Sequence, residues 1–390
     1  MAAGEGTIRK ISPASARSHT RKRNQTSSSL PSPVKILKQI VVFAFIGGLS
    51  CMYQATRPPP PKICGSLDGP PITATRIQLS DGRNLAYKEH GVPRERANYK
   101  IVYVHGFDSC RHDAVVANSL SLELFEELGL YIVSFDRPGY GESDPNPTGT
   151  VKSLALDIEE LADQLKLGHK FYVIGFSLGG EMVWGCLKYI PHRLAGVTLM
   201  APVVNYWWSG LPANLSKEAY YQQFTQDQWA LRIAHYAPWL TYWWNTQKLF
   251  PTSSAIAKSS DVLSHDDKEL LTKIPPREHL EGQVRQQGEY WSIHRDLNVA
   301  FGSWEFSPIE LQNPYPNGEG SVHLWQGDED LLVPVTLERY IAAQLPWIKY
   351  HELPGRGHLF PHADGVSDTI IKTLLLGEKW SSVTPTESQS

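Results

Sequence analysis

Residues 171–179 read FYVIGFSLG, an apolar run that leads straight into a serine set between glycines. The run is typical of a buried β-strand, and the G-x-S-x-G pattern is typical of a sharp turn into a helix. Glycine allows that turn because it has no Cβ to clash. We therefore predict that the turn presents Ser177 as a nucleophile, with a helix over Leu178–Tyr189 that ends before Pro191. The alternative is a turn that only packs a helix on a sheet.

Strand and helix patterns alternate on both sides of this turn. Such alternation predicts an α/β fold in which helices cover a mostly parallel sheet. A hairpin around Ser80-Asp81-Gly82 precedes the alternating part. The predicted strands are 77–79, 85–87, 101–104, 131–135, 171–174, 197–200, 322–325 and 348–353, and the predicted helices besides 178–189 are 151–165, 335–345 and 366–376.

Residues 203–320 interrupt the alternation and hold eight of the twelve tryptophans. No strand pattern repeats there, so we predict a helical cap inserted between two strands of the sheet. Aromatic side chains combine a large apolar area with a polar group, which suits the roof of an apolar pocket. Trp207 and Trp208 are the predicted substrate-binding residues of this cap. The alternative is that most of these tryptophans only pack the cap helices together.

A serine hydroxyl becomes a good nucleophile when a histidine removes its proton and a carboxylate orients that histidine. In this type of sheet the chain order is serine, acid, histidine. Asp330 follows the strand at 322–325, and His358 follows the strand at 348–353. Both loops are predicted at the carboxyl edge of the sheet, where open α/β sheets build their sites. We predict Ser177, Asp330 and His358 as the catalytic residues, with Asp328 as the alternative acid.

Acyl transfer also needs hydrogen-bond donors for the oxyanion that develops on the substrate. One predicted donor is the backbone N–H of Leu178, directly after the nucleophile. The other is the backbone N–H of Phe107, in the loop after the strand at 101–104. Gly106 permits a close approach and is a predicted substrate-binding residue, whereas His105 is predicted to be structural.

The N-terminal region differs in composition from the rest of the chain. Residues 1–33 are rich in Ser, Thr and Arg and read as a disordered or targeting segment. Residues 40–55 form an apolar run, and with Val34, Ile36 and Leu37 it is long enough for a transmembrane signal anchor, which we predict over 34–56. A proline-rich linker, 57–71, follows. By the positive-inside rule we expect the body in the lumen of an endomembrane compartment. A cleaved signal peptide and a plastid transit peptide are the alternatives.

Charge and cysteine content limit the partners. The first 38 residues carry eight Lys/Arg and one acid, about +7, so a net charge of −3 leaves about −10 on the remainder. Such an acidic body does not have the basic composition that is typical of a nucleic-acid-binding protein. The four cysteines form no C-x-x-C pair, and we expect no metal and no cofactor. A pair between Cys64 and Cys110 is left open, and so is the oligomeric state.

Taken together, these motifs resemble the α/β-hydrolase superfamily, in a branch like the membrane-anchored proteins of plants. The resemblance covers residues 72–376. It implies an eight-stranded sheet with a helical cap between strands 6 and 7: core 72–202, cap 203–320, core 321–377 and a disordered tail 378–390. The loop 136–143, DRPGYGES, is then structural. The sequence departs from many relatives at residues 108–110, DSC, where glycine or proline is common.

The predicted function is that of a serine hydrolase. Serine at the turn argues against the members that carry aspartate there, such as epoxide hydrolases and haloalkane dehalogenases. We expect hydrolysis of a carboxylic ester with an apolar moiety, through an acyl-enzyme, with a small or lipid-like ester as substrate. The alternatives are a ligand receptor of the same fold and an acyltransferase with little hydrolytic turnover.

Overall fold

Eight strands form one sheet in the computed structural model, which describes residues 32–274 and 282–378. The strands are β1 Thr75–Gln78, β2 Asn84–Gly91, β3 Tyr99–Val104, β4 Leu130–Phe135, β5 Phe171–Phe176, β6 Leu194–Met200, β7 Val322–Gly327 and β8 Ile348–Leu353. Their order across the sheet is β1-β2-β4-β3-β5-β6-β7-β8. Only the pairs β1–β2 and β2–β4 are antiparallel. The predicted eight-stranded, mostly parallel sheet is confirmed.

Helices connect the strands. They are α1 Pro33–Thr56, α2 Val115–Ser119, α3 Leu122–Leu128, α4 Val151–Gln164, α5 Leu178–Tyr189, α6 Ala213–Gln222, α7 Thr225–Tyr236, α8 Thr241–Thr246, α9 His265–Lys273, α10 Arg295–Phe301, α11 Val335–Gln344 and α12 Val366–Leu376. A π-helical turn, Tyr290–His294, runs directly into α10. The bounds of α5, α12 and β8 coincide with the prediction, whereas α2 and α3 were not predicted.

Both faces of the sheet are covered, as a parallel sheet requires. In β3 the side chains of Val102 and Val104 belong to one buried cluster, which also includes the inner faces of α4, α5 and α11. Ile101 and Tyr103 belong to the cluster on the opposite face, under α2, α3 and α12. Alternate residues of one strand therefore serve two cores, because successive side chains of a strand point to opposite faces.

The helix α4 shows how local sequence fixes an element beside the site. The Thr150 hydroxyl caps the N–H of Ser153, and the Ser153 hydroxyl returns a bond to the Thr150 N–H. Such reciprocal capping satisfies donors that have no partner inside the helix. Leu154, Ile158 and Leu161 then recur on the buried face. The helix predicted over residues 151–165 is therefore present, as α4.

The insert, residues 201–321, lies between β6 and β7 and contains α6 to α10. Within its described residues, 201–274 and 282–321, no strand is present. It carries Trp207 and Trp208 near its start, within the connection between β6 and α6. The boundaries given above for the domains, including 203–320 for the cap, stay predictions.

The N-terminal helix α1 forms a unit of its own. Its 24 residues correspond to about 36 Å of helix, enough to cross a hydrocarbon core of about 30 Å. All its residues are solvent-exposed apart from the half-buried Thr56, and few are charged. By length and composition it can therefore span a membrane, although a signal sequence passes the same test. The predicted segment 1–33 and tail 378–390 lie almost wholly outside the described residues.

All four cysteines lie in the described part of the chain, and no disulfide joins any two of them. Cys64 is buried, and its Sγ lies 3.7 Å from the carbonyl oxygen of Gly141. The pair left open between Cys64 and Cys110 is therefore not formed.

Candidate active site

The turn between β5 and α5 holds Ser177 in a backbone conformation that serine seldom adopts. Its φ is 56° and its ψ −124°. Such a conformation costs of order 1–3 kcal/mol and persists where the surroundings over-determine it. Here the Ser177 N–H donates to the Met200 carbonyl at 2.8 Å, and the Ser177 carbonyl accepts from Val203 at 3.2 Å and Glu181 at 3.1 Å. The strained turn is therefore held by the end of β6 and by the first turn of α5, and Ser177 is half-buried.

The glycines of the motif permit close backbone packing around this turn. A Cβ on Gly179 would lie 2.3 Å from the carbonyl oxygen of Val104 and 2.4 Å from that of His105. The start of α5 therefore packs directly on the end of β3. A Cβ on Gly106 would lie 3.7 Å from Ser177 Oγ. The loop predicted to supply an oxyanion donor thus borders the serine.

Asp330 and His358 are bonded to each other at the same sheet edge. His358 Nδ1 lies 2.7 Å from Asp330 Oδ2. The ring of His358 also contacts the ring of Phe176, the residue before Ser177, with centroids 5.1 Å apart. Asp328, the alternative acid, instead accepts the N–H of Gly355 at 2.7 Å.

Both oxygens of the Asp330 carboxylate are saturated with donors. Oδ1 accepts the backbone N–H groups of Leu332 at 2.8 Å and Val333 at 2.9 Å. Oδ2 accepts Gln326 Nε2 at 3.1 Å as well as His358 Nδ1. This set of donors fixes the carboxylate, which in turn fixes the ring of His358 with Nδ1 as the donor and Nε2 as the basic nitrogen.

The imidazole of His358 is buried, and burial by itself lowers its pKa. The charge of Asp330 and its hydrogen bond outweigh burial, and the charge of Asp267 adds to them, so the pKa of His358 is raised above its ordinary value of 6.5. The physical cause is that two nearby carboxylates favour the protonated ring. The imidazole of His358 therefore retains a proton more strongly than an ordinary histidine does.

The insert contacts the loop that carries His358. At the start of α9, Asp267 Oδ1 accepts the N–H of Leu359 at 2.6 Å. Its neighbour Asp266 binds Arg356 Nη1 at 2.8 Å and the N–H of Gly357 at 3.1 Å. Two carboxylates of the insert therefore hold the residues on both sides of His358.

The His105–Gly106 loop is fixed by a buried arginine. Arg137 donates its backbone N–H to His105 Nε2 at 3.0 Å and its side chain to the carbonyls of His105 and Gly106, both at 2.9 Å. Asp296 of the insert pairs with the guanidinium of Arg137 and accepts the Tyr140 hydroxyl at 2.7 Å. His105 Nδ1 lies 2.8 Å from the Gly106 carbonyl, and burial keeps the pKa of His105 well below 6.5. The expectation that His105 is structural agrees with these contacts.

Two buried carboxyls lie on the helices that follow the site loops. Glu181, in the first turn of α5, and Glu338, in the first turn of α11, have no hydrogen-bond partner among the described residues. Burial raises the pKa of Glu181 well above 4.5, with Asp296 and Glu338 adding to the effect and Arg137 opposing it. Burial and the charge of Asp330 do the same for Glu338. Both side chains therefore keep their proton to a higher pH than an ordinary glutamic acid.

Trp207 and Trp208 make their ring contacts within the insert. Trp207 stacks on His235 at 4.3 Å and donates its indole N–H to the Tyr236 hydroxyl at 3.0 Å. Trp208 is buried and packs on Trp304 at 5.0 Å. His235 and Trp304 line a cleft of about 400 Å³ whose walls include none of the predicted site residues. A substrate-binding role for Trp207 and Trp208 stays a prediction.

Sequence reasoning missed Asp266, Asp267 and Gln326 as neighbours of the predicted triad. Asp267 stands three residues after Ser264 and forms a capping box with it. That spacing marks a helix start in the sequence, but it does not reveal that the helix lies against the loop of His358. Within residues 32–274 and 282–378 no group of three His, Cys, Asp or Glu is arranged to hold a metal ion.

Comparison with known proteins identifies relatives with this fold. The family model described as "Alpha/beta hydrolase family" matches residues 101–369. A thermophilic esterase from Thermogutta terrifontis has a TM-score of 0.50 at 19% identity, covering 78% of this chain and 98% of that one. The enol-lactonase from Burkholderia xenovorans LB400 has a TM-score of 0.53 at 15% identity, covering 78% and 100%. At these identities the two structures demonstrate the fold.

A curated relative is similar over a longer protein. BODYGUARD 1 of Arabidopsis thaliana, described as a probable lysophospholipase, is 20% identical over 268 residues. The match covers 68% of this chain and 55% of that protein, so the chain spans about half the length of this relative.

Proposed function

This chain belongs to the alpha/beta hydrolase family, and on that basis we propose that it is a serine hydrolase acting on a carboxylic ester with an apolar acyl or alcohol part. Ser177 is the nucleophile, His358 is the general base and acid, and Asp330 orients His358. The backbone N–H groups of Phe107 and Leu178 stabilise the oxyanion.

The observation that carries the proposal is the bond of 2.7 Å between His358 Nδ1 and Asp330 Oδ2. A carboxylate bonded to Nδ1 leaves Nε2 with the lone pair that a general base needs. The strained backbone at Ser177, with a φ of 56°, supports the same role, since strain of this kind is concentrated at functional sites.

The proposed reaction has two steps. Ser177 Oγ attacks the ester carbonyl carbon while His358 Nε2 takes the hydroxyl proton. The tetrahedral intermediate collapses as His358 returns that proton to the leaving alcohol, and an acyl-enzyme remains. Water then attacks the acyl-enzyme with His358 again as base, which releases the carboxylic acid and restores Ser177. Each oxyanion donor contributes about 10²–10³ in kcat.

Ester chemistry is favoured over the other bonds that such a site can cleave. The relatives are described as an esterase, an enol-lactonase and a probable lysophospholipase, and all three descriptions fit cleavage of an ester bond. The tryptophan-rich insert supports an apolar substrate, because pockets are lined mainly by apolar and aromatic side chains. We keep Gly106, Trp207 and Trp208 as proposed substrate contacts.

We propose that α1 anchors the protein in an endomembrane with the body in the lumen. The support is the length and apolar character of α1, together with the basic residues that precede it. Residues 72–202 and 321–377 are the proposed core, and 203–320 the proposed cap.

The test is labelling with a fluorophosphonate, which reacts with an activated serine. Wild type and Ser303→Ala, an exposed serine in the insert, are expected to label equally. Ser177→Ala is expected to lose the label and to lower kcat on p-nitrophenyl esters by about 10⁴-fold or more. Label retained by Ser177→Ala would contradict the assignment. Labelling of the wild type without turnover of any ester, from short to long acyl chains, would favour the receptor or the acyltransferase.

A further inference from the structure

The insert exposes a cluster of large apolar side chains that the proposed chemistry does not use. We call Tyr221, Trp229, Leu249 and Phe250 the aromatic face. Their exposed fractions are 52%, 48%, 77% and 52%. Isolated exposed apolar residues are ordinary on protein surfaces, whereas a contiguous patch marks an interaction site.

Ring contacts join the three aromatic members of the aromatic face, and Leu249 directly precedes Phe250 in the chain. The guanidinium of Arg232 lies 5.9 Å from the ring of Tyr221 and 5.6 Å from that of Trp229. Trp229 contacts Trp244, with centroids 5.9 Å apart, and Trp244 stacks on Phe250 at 5.4 Å. The aromatic face is therefore one continuous surface formed by the end of α6, by α7 and by the segment after α8.

Two cations lie over the rings of this surface, because Lys217 Nζ is 6.0 Å from the ring of Tyr221 and Arg232 lies over Tyr221 and Trp229. Residues 217–261 contain four cations, Lys217, Arg232, Lys248 and Lys258, and three acids, Glu218, Asp227 and Asp261, and Lys258 is paired with Asp108. Asp227 is buried and is bonded to Ser253 and Ser254, so it presents no charge to an approaching partner. The surface is thus aromatic and cationic, on a body that is acidic as a whole.

This combination matches the interface of a phospholipid bilayer. Tryptophan and tyrosine prefer the headgroup level, where their apolar body and polar tip are both satisfied. Arginine and lysine beside them meet the lipid phosphates while their stems cover apolar surface. An acidic protein partner is a poorer match, because among the described residues the cations over the rings of the face are only Arg232 and Lys217, whereas aromatic side chains form most of its surface.

The same chain carries the proposed membrane anchor, α1. Only Arg57 and Pro58 lie between the end of α1 at Thr56 and Pro59. The carbonyl of Pro59 accepts the indole N–H of Trp291 at 2.9 Å.

We propose that the aromatic face docks on the surface of a phospholipid bilayer, with its aromatic and leucine side chains at the headgroup level. This goes beyond the proposed hydrolysis and does not depend on it. Docking would hold the insert against the bilayer, in which lipid-like esters are dissolved.

The experiment places a lipid-sensitive label on the aromatic face of the full chain. Cys51 is exposed and is first replaced by serine, whereas Cys64, Cys110 and Cys186 are buried and resist labelling. In that background Leu249→Cys receives the nitrobenzoxadiazole fluorophore. The matched control is Leu122→Cys on α3, because Leu122 is 79% exposed and Leu249 is 77% exposed. Both proteins are reconstituted into phosphatidylcholine nanodiscs.

The label at residue 249 is expected to emit at shorter wavelength in nanodiscs than in detergent, and to lose emission when the lipid is brominated. The label at residue 122 is expected to do neither. Adding Trp229→Ser and Phe250→Ser is expected to reduce the response at residue 249. An equal response at the two positions, or none at residue 249, overturns the proposal. A response at residue 249 that appears only when a soluble acidic protein is added to the nanodiscs also overturns the proposal, because it assigns the aromatic face to a protein partner. Hydrolytic activity does not enter any of these readouts.

Discussion

The protonation of His358 sets the pH range in which the proposed chemistry runs. A general base acts only with its proton absent, so activity is lost as the pH falls through the pKa of His358. Asp330 and Asp267 raise that pKa above 6.5. We therefore expect kcat/KM for an uncharged ester to rise with pH and to reach half its plateau above pH 6.5, as measured in a series of buffers of constant ionic strength.

Asp267 acts on that titration from the insert. Replacing Asp267 with Asn removes a negative charge near His358 and keeps an oxygen for the N–H of Leu359. The acid limb of kcat/KM is therefore expected to move to lower pH. The Ser264 N–H loses its acceptor, Asp267 Oδ2, and this loss is expected to cost about 1 kcal/mol of stability, whereas the bond from the backbone N–H of residue 267 to Ser264 Oγ remains.

The control for this prediction is Asp261→Asn, an exposed acid in the turn before α9. It is expected to leave the pH profile unchanged. If Asp267→Asn lowers activity equally at every pH, Asp267 has only a structural role and its effect on the pKa of His358 is excluded.

At the scale of the element, the buried carboxyl of Glu338 couples helix α11 to pH. Its pKa in the folded protein is raised, so its contribution to stability is full below the unfolded pKa of about 4.5 and is lost as the pH rises toward the folded pKa. Glu338→Gln has no such titration. We expect the variant to gain stability relative to wild type as the pH rises, by at most about 1.4 kcal/mol per pH unit.

Urea unfolding of the full chain at pH 5 and at pH 8 measures this difference. Glu123→Gln on α3, where the glutamate is exposed, serves as the matched control and is expected to show no pH-dependent gain. A gain for Glu338→Gln that is the same at both pH values would mean that the carboxyl is not protonated in the folded protein.

At the scale of the whole molecule, α1 and the basic segment before it predict the orientation of the body. Cations stay on the cytosolic side, so the body is expected in the lumen. In sealed microsomes that contain the full chain, added protease is expected to leave a protected fragment that extends from near Pro33, at the start of α1, to the C-terminal region.

Detergent provides the control for that measurement, because it opens the vesicles and exposes a luminal body to the protease. Digestion of the body in sealed vesicles would contradict the predicted orientation and would leave the plastid transit peptide as the alternative. Release of the protein by alkaline carbonate would contradict a spanning α1.

The sequence by itself determined the eight strands, their order along the chain and the longer helices of the core. The bounds of α5 and β8 follow from local patterns: a serine between glycines, an apolar run, and a proline after a helix. These signals act between residues close along the chain, so they can be read without a structure. Short helices such as α2 and α3 were not predicted, because five or seven residues are too few to show a helical periodicity in the sequence.

Only the tertiary structure decided which side chains meet. Asp328 and Asp330 are two residues apart in the sequence, and both were candidates for the acid of the triad. The contact that distinguishes Asp330 is its bond to His358, 28 residues further along the chain. Asp267 accepts the N–H of Leu359, which lies 92 residues further along the chain, and no sequence pattern in the insert predicted this contact. Contacts of this range depend on how helices and strands pack. The same packing buries Glu338, which raises its pKa, and brings Asp330 and Asp267 to His358, whose pKa they raise against the effect of burial.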